Sequence, residues 1–152
     1  MRIMKIPAAS ILAAISTLIL GVTVARAESP AKPAAAAPPV SWAVFSGYKR
    51  FSGNCQVCHG PDGLGGTFAP NLTNSLKTLD HDAFLNTVVN GKQNGELAMP
   101  SFGANPNVMC YIEDIYAYLK ARSEDKVGRG RPDPQPTKPA DAAAAETACM
   151  GG

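Results

Sequence analysis

Seven residues, Asn54-Cys-Gln-Val-Cys-His-Gly60, hold two of the four cysteines and one of the two histidines of the chain. Thiolate and imidazole are the side chains that bind soft metals, exchange disulfides and ligate haem iron. Cys55, Cys58 and His59 therefore admit four chemistries: a zinc knuckle, a redox dithiol, a disulfide or a covalently held haem. Each makes a different demand on the rest of the chain.

Structural zinc asks for four ligands, usually with a second closely spaced Cys/His pair. The remaining cysteines, Cys110 and Cys149, stand alone and far apart, and His81 is the one other histidine. A thioredoxin-like dithiol sits in a βαβ setting, and no strand pattern of that kind is present. C-x-x-C-H haem attachment fits every residue of the motif. Two thiols add to the two haem vinyl groups as thioethers, a tight turn sets their spacing, and the histidine that follows lies beneath the iron. The expected cofactor is one covalent haem c, with Cys55, Cys58 and His59 holding it.

An electron-carrying haem takes a second axial ligand, and methionine opposite histidine raises its potential. Met99 lies in "LAMPSFG", a Pro-bounded loop free to approach from the side opposite His59. Met109 falls beside the apolar stripe of a helix and reads as core, and Met150 sits on a tail. His81 is an alternative ligand, but a place in the first helical turn favours a surface role. The expected iron ligands are His59 and Met99.

Haem attachment of this type needs export. Arg2 and Lys5 precede an apolar run, and Ala25-Arg26-Ala27 is a small-x-small cleavage site, so residues 1–27 read as a secretory signal peptide. The rival reading is an uncleaved anchor, since the run approaches a membrane span in length. A cleaved leader implies the periplasm, with no stable membrane insertion afterwards and with disulfides permitted. Loss of Arg2, Lys5 and Arg26 turns the formal charge from +2 to −1. No basic field is left to argue for nucleic acid.

The elements that must position these residues follow from composition and period. Residues 28–39 are a Pro/Ala-rich spacer and 132–152 a Pro/Ala-rich tail, both expected to be flexible or extended. Between them, residues 40–131 suffice for one small all-α domain. One helix is expected from Val40 to about Gly53, with Trp42, Phe45, Tyr48 and Phe51 on one face. A second runs from about His81 to Asn90, with Asp80 as N-cap, Leu79 and Phe84 as a staple and Gly91 as the stop. A third spans about Val108 to Arg122, its stripe including Tyr111, Ile115 and Tyr118. Segments 60–78 and 91–107 read as ordered loops without strands, and long loops in a small domain usually carry function.

Cys55-x-x-Cys58-His59, Ala69-Pro70-Asn71-Leu72, Met99-Pro100-x-Phe102 and a tyrosine-rich last helix together resemble a class I c-type cytochrome over about residues 40–122. That resemblance implies His59 as proximal ligand, Met99 as distal ligand, and a Pro70 carbonyl that orients the proximal imidazole. "NPNVMCYIEDIYAYLKAR" followed by "GRGRP" looks like the four-cysteine c-type cytochromes of methanol oxidation. Those serve quinoprotein alcohol dehydrogenases. The implied role is a periplasmic monohaem one-electron carrier, not an enzyme. Its donor would be a quinoprotein dehydrogenase and its acceptor a downstream cytochrome or oxidase. The alternative is a haem enzyme or gas sensor with an open distal position.

Cys110 and Cys149 make an even pair in an oxidising compartment. A bond between them would tie the tail back across the last helix; the alternative is two unpaired thiols. "GPDGLGG" (60–66) follows no strand and lacks the Lys-Ser/Thr of a phosphate loop, so it reads as a loop at the haem edge. The basic run Lys120, Arg122, Lys126, Arg129 and Arg131 reads either as a solvated helix end or as a docking face for an acidic partner.

Overall fold

The computed structural model describes residues 39–133 and 135–151. These belong to a unit covering Ala35–Gly152, and a second unit, Met1–Ala34, lies outside the described residues. The expected leader and nearly all of the expected spacer therefore fall outside them too.

Helix α1 (Trp42–Asn54) starts at Ser41, whose hydroxyl accepts a hydrogen bond from the Val44 amide. It crosses α6 (Ile112–Ser123), and the crossing is close because Gly47 has no side chain. A Cβ there would lie 1.8 Å from the Asp114 carbonyl oxygen, a distance no packed atom tolerates. Tyr48 and Phe51 both lie against the Tyr118 ring, at centroid distances of 5.7 and 5.6 Å. Phe51, Leu76, Val108, Tyr118 and Leu119 are fully buried and form the centre of the core.

Short elements fill the connections. Helix α2 (Gln56–His59) follows α1 directly, and a 3₁₀ turn covers Pro61–Gly63. Helix α3 (Leu72–Ser75) is capped by Asn71, and α4 (His81–Asn90) by Asp80, whose carboxylate accepts from the Ala83 amide at 2.8 Å. Strands β1 (Lys92–Asn94) and β2 (Leu97–Met99) form an antiparallel hairpin with Lys92 opposite Met99. Helices α5 (Pro106–Met109) and α7 (Ala140–Met150) complete the described elements.

The fold is mostly helical, as the periodicity predicts, and α4 has the expected bounds. Three local expectations need correcting. The hairpin replaces the strandless loop expected at 91–107; five of its six strand residues are exposed, so no buried face imprints an alternation. The single helix expected from Val108 is two helices. Asn105 caps α5 early, with Pro106 at its first position, and Tyr111, at φ −131°, breaks the path before α6 begins. The tail is not wholly extended: its Ala-rich stretch forms α7, a case in which propensity acts without an amphipathic pattern.

Candidate functional site

The C-x-x-C-H turn is built on the end of α1. The Cys55 amide donates to the Phe51 carbonyl at 2.8 Å, and the Cys58 and His59 amides both donate to the Cys55 carbonyl, at 3.2 and 3.0 Å. This tight turn aims Cys55 and His59 into one cleft and leaves Cys58 exposed. Burial, and secondarily the neighbouring Cys58, pushes the Cys55 thiol up to about 11.

His59 is buried. Its Nδ1–H donates to the Pro70 carbonyl at 3.1 Å, which leaves the Nε2 lone pair to act as a ligand. The loop that brings Pro70 here is tied to the motif. The Gly65 amide donates to the His59 carbonyl at 2.7 Å, and the Gly66 amide to the Ala69 carbonyl at 3.0 Å. Asn71, the next residue, starts α3. One short segment therefore orients the imidazole and begins a helix whose Leu72 lines the same cleft.

Met99 reaches that cleft from the end of β2, together with Leu76, Phe84, Val88 and Ile115. Its lining is almost wholly apolar, as the lining of cofactor sites usually is. The other candidate ligands stand elsewhere. Met109 packs against the core without lining the cleft, and Met150 is exposed on α7. The half-exposed His81 imidazole pairs with Glu113 at 2.8 Å and stacks edge-on against Tyr116. Among the described residues no three His, Cys, Asp or Glu side chains converge as a metal cage.

Cys110 and Cys149 are joined as a disulfide, with a Cα–Cα distance of 5.7 Å. The bond holds α7 near α5. Glu146 of α7 adds ion pairs to Arg50 (3.7 Å) and to Lys138, and the Arg50 guanidinium lies 3.5 Å above the Tyr111 ring.

The basic run has partners within the chain, while Lys126, Arg129 and Arg131 stay exposed. Lys120 donates to the Leu76 carbonyl and pairs with Glu124, and Lys126 also pairs with Glu124. Arg122 is buried and donates to the Val127 carbonyl. Arg129 pairs with Asp62, and Arg131 lies over the Phe45 ring. The sequence reading passed over Asp62, a buried carboxylate at φ +61°. Its signal was the Pro-Asp-Gly turn immediately after the haem motif.

Comparison with known proteins agrees with this geometry. A family described as "Cytochrome C oxidase, cbb3-type, subunit III" matches residues 43–119. Cytochrome c-553I of Paracoccus denitrificans is 50% identical over 74% of this chain. The chain spans only 52% of that relative's own length. Cytochrome c-555 of Methylococcus capsulatus (Bath) is 40% identical over 77% of this chain and 86% of the relative. The crystal structure of c-type cytochrome XoxG from Methylobacterium extorquens AM1 superposes with a TM-score of 0.70 at 47% identity, covering 73% of this chain and 69% of that one. The site and fold define a haem protein of class I cytochrome architecture. The chain belongs to the c-type cytochrome family and is a monohaem member of it.

The residues present fit haem c. Cys55 and Cys58 would supply the thioether sulfurs, His59 has one ring nitrogen fixed by Pro70 and one free, and the apolar cleft suits the face of a tetrapyrrole.

Proposed function

We propose that this chain is a periplasmic one-electron carrier. In this reading it accepts electrons from a quinoprotein methanol or alcohol dehydrogenase and passes them to a downstream cytochrome or oxidase. Bound haem supplies an iron that cycles between ferrous and ferric states. The chain's own residues set what that iron can do. His59 is the proximal ligand, with its ring orientation and tautomer held by Pro70. Met99 is the distal ligand, and its thioether favours the ferrous state and closes the site to small molecules.

The observation that carries the reading is the placement of His59 and Met99, from separate elements, around one apolar cleft. An open-site gas sensor or enzyme has no use for a methionine there. The likeness to cytochromes c-553I, c-555 and XoxG supports a carrier, and the "GRGRP"-bearing C-terminal region supports the dehydrogenase donor. The leader 1–27 and the disulfide support an oxidising, exported setting. No helix among the described residues is long and apolar enough to cross a membrane.

The test is rapid mixing of the oxidised holoprotein with a reduced, purified quinoprotein alcohol dehydrogenase. Fast haem reduction without carbon monoxide binding at rest is expected. No reduction by that enzyme, alongside ready reduction by another periplasmic donor, overturns the proposed partner. Rapid carbon monoxide binding by the reduced wild type overturns the closed-site carrier.

A further inference from the structure

We propose that Gly91 and Ser101 are positioning residues for Met99: they seat the methionine loop on the open end of helix α4. This inference rests on the reading of Met99 as distal ligand. Neither residue touches the cleft, and neither carries a ligating atom suited to haem iron.

A helix leaves its last carbonyls without intrahelical partners. In α4 those carbonyls are answered by the segment that follows Met99. The Val88 carbonyl accepts from the Phe102 amide at 2.9 Å. The Val89 carbonyl accepts from the Gly103 amide at 3.1 Å and from the Ser101 hydroxyl. Both lone-pair directions of Val89 are thus filled by residues two and four positions beyond Met99. The Ser101 bond is the one member of this set that a side-chain change can remove without touching the backbone.

Gly91 fixes the other side. It ends α4 at φ +75°, and its amide closes onto the Thr87 carbonyl at 2.9 Å. The Met99 backbone passes directly over it. A Cβ at Gly91 would stand 2.6 Å from the Met99 carbonyl oxygen and 2.9 Å from the Ser101 amide nitrogen. The hairpin register adds a third restraint by setting Lys92 opposite Met99. Met99 therefore sits between a strand pairing on its N-terminal side and a stitched helix end on its C-terminal side. Backbone restraint of this kind fixes the Met99 Cα and Cβ, and so limits the positions the flexible thioether can reach.

The test uses the holoprotein with covalently attached haem, in four variants: Ser101→Ala, Ser101→Thr, Gly91→Ala and Met99→Ala. Haem content and far-ultraviolet circular dichroism establish folding. The readouts are the thioether-to-iron charge-transfer band of the oxidised form, carbon monoxide affinity of the reduced form, and the reduction potential. Ser101→Ala is expected to weaken the band, lower the potential, and raise carbon monoxide affinity about fivefold, equivalent to ~1 kcal/mol. Ser101→Thr, which keeps the hydroxyl, should stay close to wild type. Gly91→Ala should have the larger effect, because it moves the Met99 backbone itself. If Gly91→Ala does not fold, the contrast between Ser101→Ala and Ser101→Thr decides. Folded Ser101→Ala with wild-type band, affinity and potential overturns the proposal while Met99→Ala still abolishes the band. Persistence of the band in Met99→Ala overturns both the ligand reading and this proposal.

Discussion

Asp62 and Arg129 are 67 residues apart in sequence, yet the Arg129 Nε–H donates to the Asp62 carboxylate at 3.2 Å. The same carboxylate accepts from the Gly130 amide at 2.8 Å. The turn after the haem motif is thereby fastened to the segment that leaves α6. The two donors are unequal in environment. Arg129 is mostly exposed, whereas the Asp62 side chain is 7% exposed. Solvent screens the ion pair, so its net value is small. Removing the carboxylate instead loses the charge-assisted bond from the Gly130 amide as well as the ion pair. Asp62→Ala should therefore cost about 1–3 kcal/mol, and Arg129→Ala about 1 kcal/mol or less. Denaturant unfolding of the two holoproteins checks the order, and equal losses would mean that the ion pair dominates. Hydrogen exchange in Asp62→Ala should show early opening of residues 126–131.

The disulfide between Cys110 and Cys149 closes a sequence separation of 39 residues. Helix α7 buries none of its residues, so little apolar packing holds it in place. An isolated 11-residue helix is marginal in water even when rich in alanine. The bond and the Glu146–Arg50 ion pair are what keep it docked. Chain entropy sets an upper limit of roughly 4 kcal/mol on the contribution of the bond. Cys149→Ser should melt α7 and lose amide protection over 140–150, with covalent haem retained. Persistent protection of α7 in that variant would show that the Glu146–Arg50 pair suffices without the bond.

His81 joins the start of α4 to the start of α6. Its hydrogen bond with Glu113 holds the imidazole above its ordinary range; desolvation works against this, and the charges of Glu113 and Asp82 add to it. A raised folded value means that the native state favours the protonated ring. The stabilisation is then fully present below the unfolded histidine value, about 6.5, and is lost as pH rises through the folded value. Wild type should melt higher than Glu113→Gln in mildly acidic buffer, and the gap should close in alkaline buffer. Thermal melts at several pH values test this. A gap that widens with pH would reverse the assignment.

Much of the site is legible from types and spacing because covalent chemistry constrains it tightly. Cys55, Cys58 and His59 must be adjacent for one haem, so a five-residue window suffices to read them. The bounds of α4 are equally plain, since Asp80, Leu79 with Phe84, and Gly91 each signal an end by local chemistry. Features governed by distant partners are not legible in this way. The hairpin carries an Asn94-Gly95 turn signal, but its strands are short and exposed, so it leaves no period-two trace. The basic run from Lys120 to Arg131 looks like a patch in one dimension. In three dimensions its partners are Asp62, Glu124 and the carbonyls of Leu76 and Val127, and nothing near the run itself announces Asp62 or Leu76. The tail hides α7 because alanine favours helix at every position and so marks no face.

That engagement of the basic run changes what should govern docking to an electron donor. Carboxylate partners at Lys120, Lys126 and Arg129, and the burial of Arg122, reduce the field this run presents, while Lys126 and Arg129 stay exposed. The formal charge of residues 28–152 is close to neutral. Beside the haem motif two large apolar side chains are open to solvent. Val57, between the two motif cysteines, is 85% exposed, and Phe68, two residues before Pro70, is 67% exposed. Each offers apolar area that a docking partner can remove from water. Reduction by the donor should therefore vary little between low and moderate salt, over a range in which the screening length falls from about 30 to 10 Å. Val57→Glu and Phe68→Ser should each slow bimolecular reduction by about tenfold, a loss of ~1.4 kcal/mol, with the potential unchanged. Arg131→Ala should leave the rate nearly as it is. Stopped-flow rates at two ionic strengths separate the two views. A steep fall with salt, together with a slow Arg131→Ala and unaffected Val57→Glu, would return the docking role to the basic run.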